Sequence, residues 1–433
     1  MPSIIGPVTD LDVRATLPGS AALRRAAPAL LGYAAVRALG LLALALWSAA
    51  RDKSAYTLLT ARWDALWYTR VAELGYGYEV RLPNGDVHSN LAFFPLLPWL
   101  ERLLHATTPL SYAGAGFTVS VVASLAAAWG IFAVADHVHG RRAGICAVLV
   151  WAVLPVGIVQ SMAYSESLFT ALAAWSLYAV LTGRWVTAGV LASLSGLTRP
   201  VGLAVVAAVW AAGSTSLLRD RRAPGAGRPF VRTRGTALVP GVHDPEHASR
   251  PSAEDSSGRE ATAHGPRVAP RALGMLLAPL GAAGYVLWVG HRTGRGPLGY
   301  LDVQAGWRNG FDGGYAFARF VADKFTAFPS ALAGVGLILG VALLLWLYVV
   351  CVRQRQPLPL LVYGGAVLAL ALCASSYFGS KPRLLLPAFP LLLPLALALA
   401  RLRTTRAVLV VAGCLAVASA VYGAWWLNGS GPP

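Results

Sequence analysis

Asp64 stands between two tryptophans in Ala61-Arg62-Trp63-Asp64-Ala65-Leu66-Trp67-Tyr68, just after the first long apolar run. A carboxylate in such a place can act as a general base and take a proton from an acceptor hydroxyl. A second carboxylate, Glu166, lies in Ala163-Tyr164-Ser165-Glu166-Ser167-Leu168-Phe169, at the start of another apolar run. Cations that could steady charge growing on a departing phosphate are Arg199, in Thr198-Arg199-Pro200, and Lys381 and Arg383, in Tyr377-Phe378-Gly379-Ser380-Lys381-Pro382-Arg383. Trp63, Tyr68, Glu73, His88 and Tyr164 are the candidate acceptor- or sugar-binding residues around them. One carboxylate with several cations suits sugar transfer from a lipid-linked phosphate, whose leaving group needs no strong general acid.

Each residue also has a plainer reading. Asp64 could pair with Arg62 or cap a helix. Glu166 could sit in a first helical turn, where the dipole favours an acid. Glu73 could pair with Arg70, and His88 could be an ordinary loop histidine. Arg199 could pair with Glu166, because unpaired charge near membrane depth is costly. Lys381 and Arg383 could be interfacial anchors, as could Trp63, Trp67, Phe93 and Phe94. No cofactor is required by this chemistry. An Asp–Glu pair could hold Mg²⁺ or Mn²⁺, but no spacing demands a metal.

The elements that must position these residues are membrane helices. The chain has 433 residues, 56% hydrophobic and only 13% charged, too few charges to cover a soluble surface of this size. Several apolar runs reach the length needed to cross a bilayer, so the fold class is an all-α polytopic membrane protein. The net charge of +17 matches Arg gathered in cytoplasmic loops, and no aromatic–basic platform accompanies it to suggest nucleic acid. Cys146, Cys351, Cys373 and Cys414 lie in or beside apolar runs without metal-type spacing. No cleavable signal is evident, and the first apolar run is long enough to remain as an anchor.

The organisation follows in order. Residues 1–26 form a cytoplasmic tail. Residues 27–218 form an N-terminal membrane module whose outer segment 51–109 holds two interfacial helices, near 61–75 and 95–106. In the first, Trp63, Leu66, Trp67, Arg70, Val71 and Leu74 recur at helical spacing. Gly75, Gly77, Pro83, Asn84 and Gly85 mark turns between the two. Residues 219–271, rich in Arg, Pro, Gly, Ala and Ser, read as a disordered cytoplasmic loop. Residues 272–433 form a C-terminal membrane module. Spans are expected near 27–49, 112–136, 143–160, 164–182, 186–198, 200–218, 272–290, 328–350, 358–376, 384–400 and 405–427, about eleven in all. Under that count Arg141, Arg142, Arg184, the loop 219–271, Arg353, Arg355, Arg401, Arg403 and Arg406 share the cytoplasmic side. Arg37, inside the first span, needs a protein partner or an anionic lipid-linked substrate.

The motifs Arg62-Trp63-Asp64, Gly75-Tyr76, Ala92-Phe93-Phe94-Pro95, Tyr164-Ser165-Glu166-Ser167-Leu168-Phe169 and Arg199-Pro200-Val201-Gly202 occur in order across about residues 27–210. Together they resemble the PIG-V-like family, whose eukaryotic members are the GPI mannosyltransferases 2. The resemblance implies a GT-C type fold with an outward active site and a polyprenyl-phosphate sugar donor, usually mannose. It implies inversion at the sugar carbon, with Asp64 as the base. The Arg-rich loop has a bacterial character, so the implied protein sits in a bacterial plasma membrane and its acceptor is a cell-envelope glycolipid, glycan or protein. A lipid or solute transporter, and a non-catalytic subunit of an envelope-glycan complex, are the rival readings.

Overall fold

A computed structural model describes residues 19–222, 268–375 and 377–429. The tail before residue 19 and most of the Arg-rich loop lie outside the described residues. Among the described residues, the architecture is an all-α bundle with two very short two-stranded sheets.

Among the described residues, six helices are long and apolar enough to cross a membrane: Ser20–Ala49, Tyr112–His139, Pro200–Asp220, Val268–Thr293, Phe328–Arg353 and Thr405–Leu427. A seventh span is available if Phe378–Leu384 and Phe389–Ala400, bent by 75° at their break, act as one. The other four of the eleven expected runs form shorter helices: Arg141–Ala152, Ser165–Leu181, Trp185–Gly196 and Leu358–Cys373. The difference has a physical source. The run expected over 143–160 is cut after Ala152 by Pro155, and continues only as the 3₁₀ turn Gly157–Ser161. The run ending near Thr198 stops at Gly196, before Arg199 takes the extended conformation that a following proline demands.

Helix boundaries follow local chemistry. Ser111 accepts from the Gly114 N–H at 3.1 Å and starts Tyr112–His139, which ends on Gly140 at φ +88°. Thr404 caps Thr405–Leu427 in the same way. Helices Trp185–Gly196 and Val268–Leu277 approach through glycine: a Cβ on Gly189 would run into the Gly274 carbonyl.

Between the first and second long helices lies the segment that carries Asp64. The interfacial helices are Asp64–Leu74 and Leu96–Thr107, close to the expected bounds. The turn region between them also forms a hairpin, Glu79–Arg81 with Val87–Ser89, in which Val80 faces His88. Asn90 ties the hairpin base to the first helix: its amide donates to the Gly75 carbonyl, and its oxygen accepts from the Gly77 N–H, both at 3.0 Å. Tyr76 donates to the Phe93 carbonyl at 2.8 Å, and Tyr285 donates to the carbonyls of Leu91 and Phe93. The Gly75-Tyr76 and Phe93-Phe94 motifs therefore build the scaffold of this segment.

Candidate active site

Asp64 is the first residue of its helix, and its side chain keeps 26% exposure. The residue before it, Trp63, has φ +52°, a conformation rare for a bulky side chain. That kink separates Ala55–Thr60 from Asp64–Leu74 and lets Asp64 leave the helix start toward the bundle. The Arg62 guanidinium lies 4.2 Å from the centre of the Trp63 ring, so the Arg62–Asp64 pair considered from sequence gives way to a cation–π contact.

The partner of Asp64 comes from the far end of the chain. Arg383 Nη2 donates to Asp64 Oδ2 at 2.5 Å. Its Nε lies 3.5 Å from Glu166 Oε1, and Glu166 is also paired with Arg199. Four charged side chains thus form one chain of contacts, Asp64–Arg383–Glu166–Arg199, with two negative and two positive groups. Glu166 is 2% exposed at its side chain and sits in the first turn of Ser165–Leu181. The guanidinium of Arg383 also lies 5.0 Å from the Tyr164 ring centre. Its Nη1 donates no hydrogen bond among the described residues, and its Nε faces Glu166.

Tyr68 closes one side of this centre. Its hydroxyl shares a 2.8 Å hydrogen bond with Ser165 Oγ, one residue before Glu166. Burial pushes the phenol above its ordinary pKa, so it stays neutral. The Tyr68 ring meets Phe93 edge-on at 5.1 Å, and Trp67 stacks on Phe93 at 5.7 Å. Trp67 in turn meets Trp307 at 4.9 Å.

The remaining candidates are placed elsewhere. His88 stacks on Trp307 at 4.0 Å, and burial lowers its pKa, which favours the neutral ring. Glu73 is exposed, and the guanidinium of Arg70 lies over the Tyr78 ring instead. Lys381 Nζ donates to the carbonyls of Ala371 and Ala374, at 2.6 and 2.8 Å, between the rings of Phe317 and Phe378. That ammonium caps the end of Leu358–Cys373. Glu101 was not singled out from sequence. It is fully buried against Gly116, and both its oxygens lack a hydrogen-bond partner among the described residues.

Residues 40–216 match a family model described as Mannosyltransferase (PIG-V). The matched segment is less than half of the chain. It holds Asp64, Glu166 and Arg199, three of the four members of the ionic centre; Arg383 enters from beyond it. No curated protein matches the chain. Among solved structures, the chain is similar to ArnT from Cupriavidus metallidurans, crystallised with undecaprenyl phosphate. The identity is 14% and the TM-score 0.47, over 89% of this chain and 63% of that one.

Proposed function

We propose that this protein is a PIG-V family, inverting glycosyltransferase of GT-C type that moves mannose from a polyprenyl-phosphate donor to a cell-envelope acceptor. The observation that carries the reading is the contact between Asp64 and Arg383: a partly exposed carboxylate held beside a guanidinium whose Nη1 donates no hydrogen bond among the described residues.

In the reaction, the acceptor oxygen attacks the anomeric carbon of the sugar. Asp64 takes the proton of that hydroxyl. The bond from the anomeric carbon to the phosphate oxygen breaks, and its electron pair stays on the phosphate. Arg383, backed by Arg199, offsets the added charge. Glu166 holds both guanidiniums in place, Tyr164 packs against Arg383, and Trp63 fixes the start of the Asp64 helix. An apolar groove lined by Gly314, Phe317, Val321, Ile338, Val341 and Leu372 supports a prenyl tail on the donor.

The orientation follows the basic loops. Arg25 pairs with Asp136, Arg141 donates to the Arg25 carbonyl, and Arg142 donates to the Leu402 carbonyl. These contacts gather the Arg-rich loops of the N-terminal and C-terminal modules, which supports a cytoplasmic side in a bacterial plasma membrane. Asp64 then works on the outer face.

The test is transfer from radiolabelled polyprenyl-phosphate mannose to endogenous membrane acceptors, comparing wild type with Asp64→Asn. Label moved by the wild type and not by the variant supports the reaction and the base. Equal transfer by a well-folded Asp64→Asn protein would falsify the base assignment.

A further inference from the structure

Arg37 is a buried cation inside the first membrane helix. At 1.5 Å per residue it lies about 18 Å from the helix end at Ala49, where a charge without partners is strongly disfavoured. It has no carboxylate partner among the described residues. Its Nη1 donates to the Gly157 carbonyl and its Nη2 to the Ala152 carbonyl.

Those carbonyls flank the break at 153–156. Ala152 ends its helix, and Gly157 begins the short 3₁₀ turn. Backbone unwound within a membrane bundle must find its hydrogen bonds inside the protein. The surrounding side chains supply them. Ser419 Oγ donates to the Leu154 carbonyl at 2.7 Å, Gln160 Nε2 to the Trp151 carbonyl at 2.9 Å, and Ser167 Oγ to the Gln160 carbonyl at 2.9 Å. The segment then runs directly into Tyr164 and Glu166. Trp151 Nε1 also donates to the Leu386 carbonyl at 3.0 Å, three residues after Arg383. The helix end before the unwound segment is thereby tied to the chain beside Arg383, and the segment itself leads to Glu166.

We propose that Arg37 is a positioning residue for sugar transfer: it pins the unwound segment 153–164 and so sets where Glu166 stands relative to Arg383 and Arg199. This rests on reading the Asp64–Arg383 centre as the place of transfer. Gly157 belongs to the same device. A Cβ there would lie 2.8 Å from Arg37 Nη2 and 2.9 Å from the Ala152 carbonyl, so an alanine displaces the guanidinium without removing it.

The experiment compares wild type, Arg37→Met, Arg37→Lys, Gly157→Ala and Asp64→Asn with radiolabelled polyprenyl-phosphate mannose, measuring kcat and donor KM apart, with a thermal midpoint for each. Arg37→Met and Gly157→Ala should lower kcat by about tenfold to a hundredfold, as expected for a small misplacement of reacting groups, with donor KM little changed. Arg37→Lys, which can still donate to carbonyls, should recover much of the loss. The Arg37→Met/Gly157→Ala double variant should be no worse than Arg37→Met alone. If Arg37→Met fails to accumulate in the membrane, Gly157→Ala decides the matter. Wild-type kcat in Gly157→Ala, with Asp64→Asn inactive, overturns the positioning role and leaves the transferase reading standing. Full activity in Asp64→Asn as well would instead remove the reading on which the proposal rests.

Discussion

Arg383 Nη2 donates to Asp64 Oδ2 at 2.5 Å, joining residues 319 positions apart in the chain. The contact holds the proposed base in an ion pair before substrate arrives. An incoming donor phosphate competes for the same guanidinium, and Asp64 gains freedom to face the acceptor as Arg383 turns to the phosphate. Replacing Asp64 by Asn keeps the shape and a hydrogen-bond acceptor but removes the base. Transfer should fall by about 10²–10⁴-fold, with the protein still monodisperse in detergent. Assay of label transfer beside size-exclusion elution separates loss of chemistry from loss of fold.

The Glu166–Arg199 pair is more deeply buried, with side chains 2% and 14% exposed. Removing one partner strands the other charge, at a cost of about 3–5 kcal/mol. Glu166→Leu and Arg199→Met should each lower the thermal midpoint sharply. The double variant, which buries no lone charge from this pair, should regain much of the stability and none of the activity. A double variant as unstable as the sum of the singles would show that the two residues do not act as a pair.

Glu101 gives a pH dependence. Burial holds its folded-state pKa well above the ordinary value of 4.5. The folded protein therefore keeps a proton that the unfolded chain releases above that pH. The contribution of this group to stability is greatest below the unfolded pKa and falls as pH rises toward the folded value. Thermal midpoints in detergent should decline with rising pH in the wild type. The decline should be shallower in Glu101→Gln, which is neutral in both states.

Close helix contact through glycine predicts a contrast between sites. Gly189→Ala places a Cβ against the Gly274 carbonyl, whereas a Cβ at Gly336 meets nothing within 4 Å. The first should cost about 1–3 kcal/mol through overpacking and lower the thermal midpoint. The Gly336→Ala change should leave it near that of the wild type.

Much of the site was legible because carboxylates and guanidiniums at membrane depth are few. Asp64, Glu166, Arg199 and Arg383 were all named from type and motif, and all four meet. That Arg383 meets Asp64 while Lys381 turns to backbone carbonyls was not legible. The two stand two residues apart on the short helix Lys381–Leu384, so their side chains leave it in nearly opposite directions. Which one faces Asp64 depends on how the helix is rotated, and that is set by packing. The hairpin at 79–89 left a usable signal in Asn84-Gly85, a pair suited to tight turns between strands. Glu101 left none: a single acid in an amphipathic helix looks solvent-facing until Gly116 makes room for it. The expected span at 143–160 followed apolar content and ran through Pro155, where the hydrogen-bond ladder is cut.

The shorter apolar helices carry a consequence for biogenesis. Ser165–Leu181, with 17 residues, is about 26 Å long, and Trp185–Gly196, with 12, is about 18 Å. Both fall below the roughly 30 Å of a hydrocarbon layer. Neither spans that layer in full by its own length. They need the long helices Tyr112–His139 and Val268–Thr293 as chaperoning walls, and the second of these is synthesised later. The polypeptide must therefore hold the segment bearing Glu166 and Arg199 in a provisional setting, and lock it only once its C-terminal half has been made.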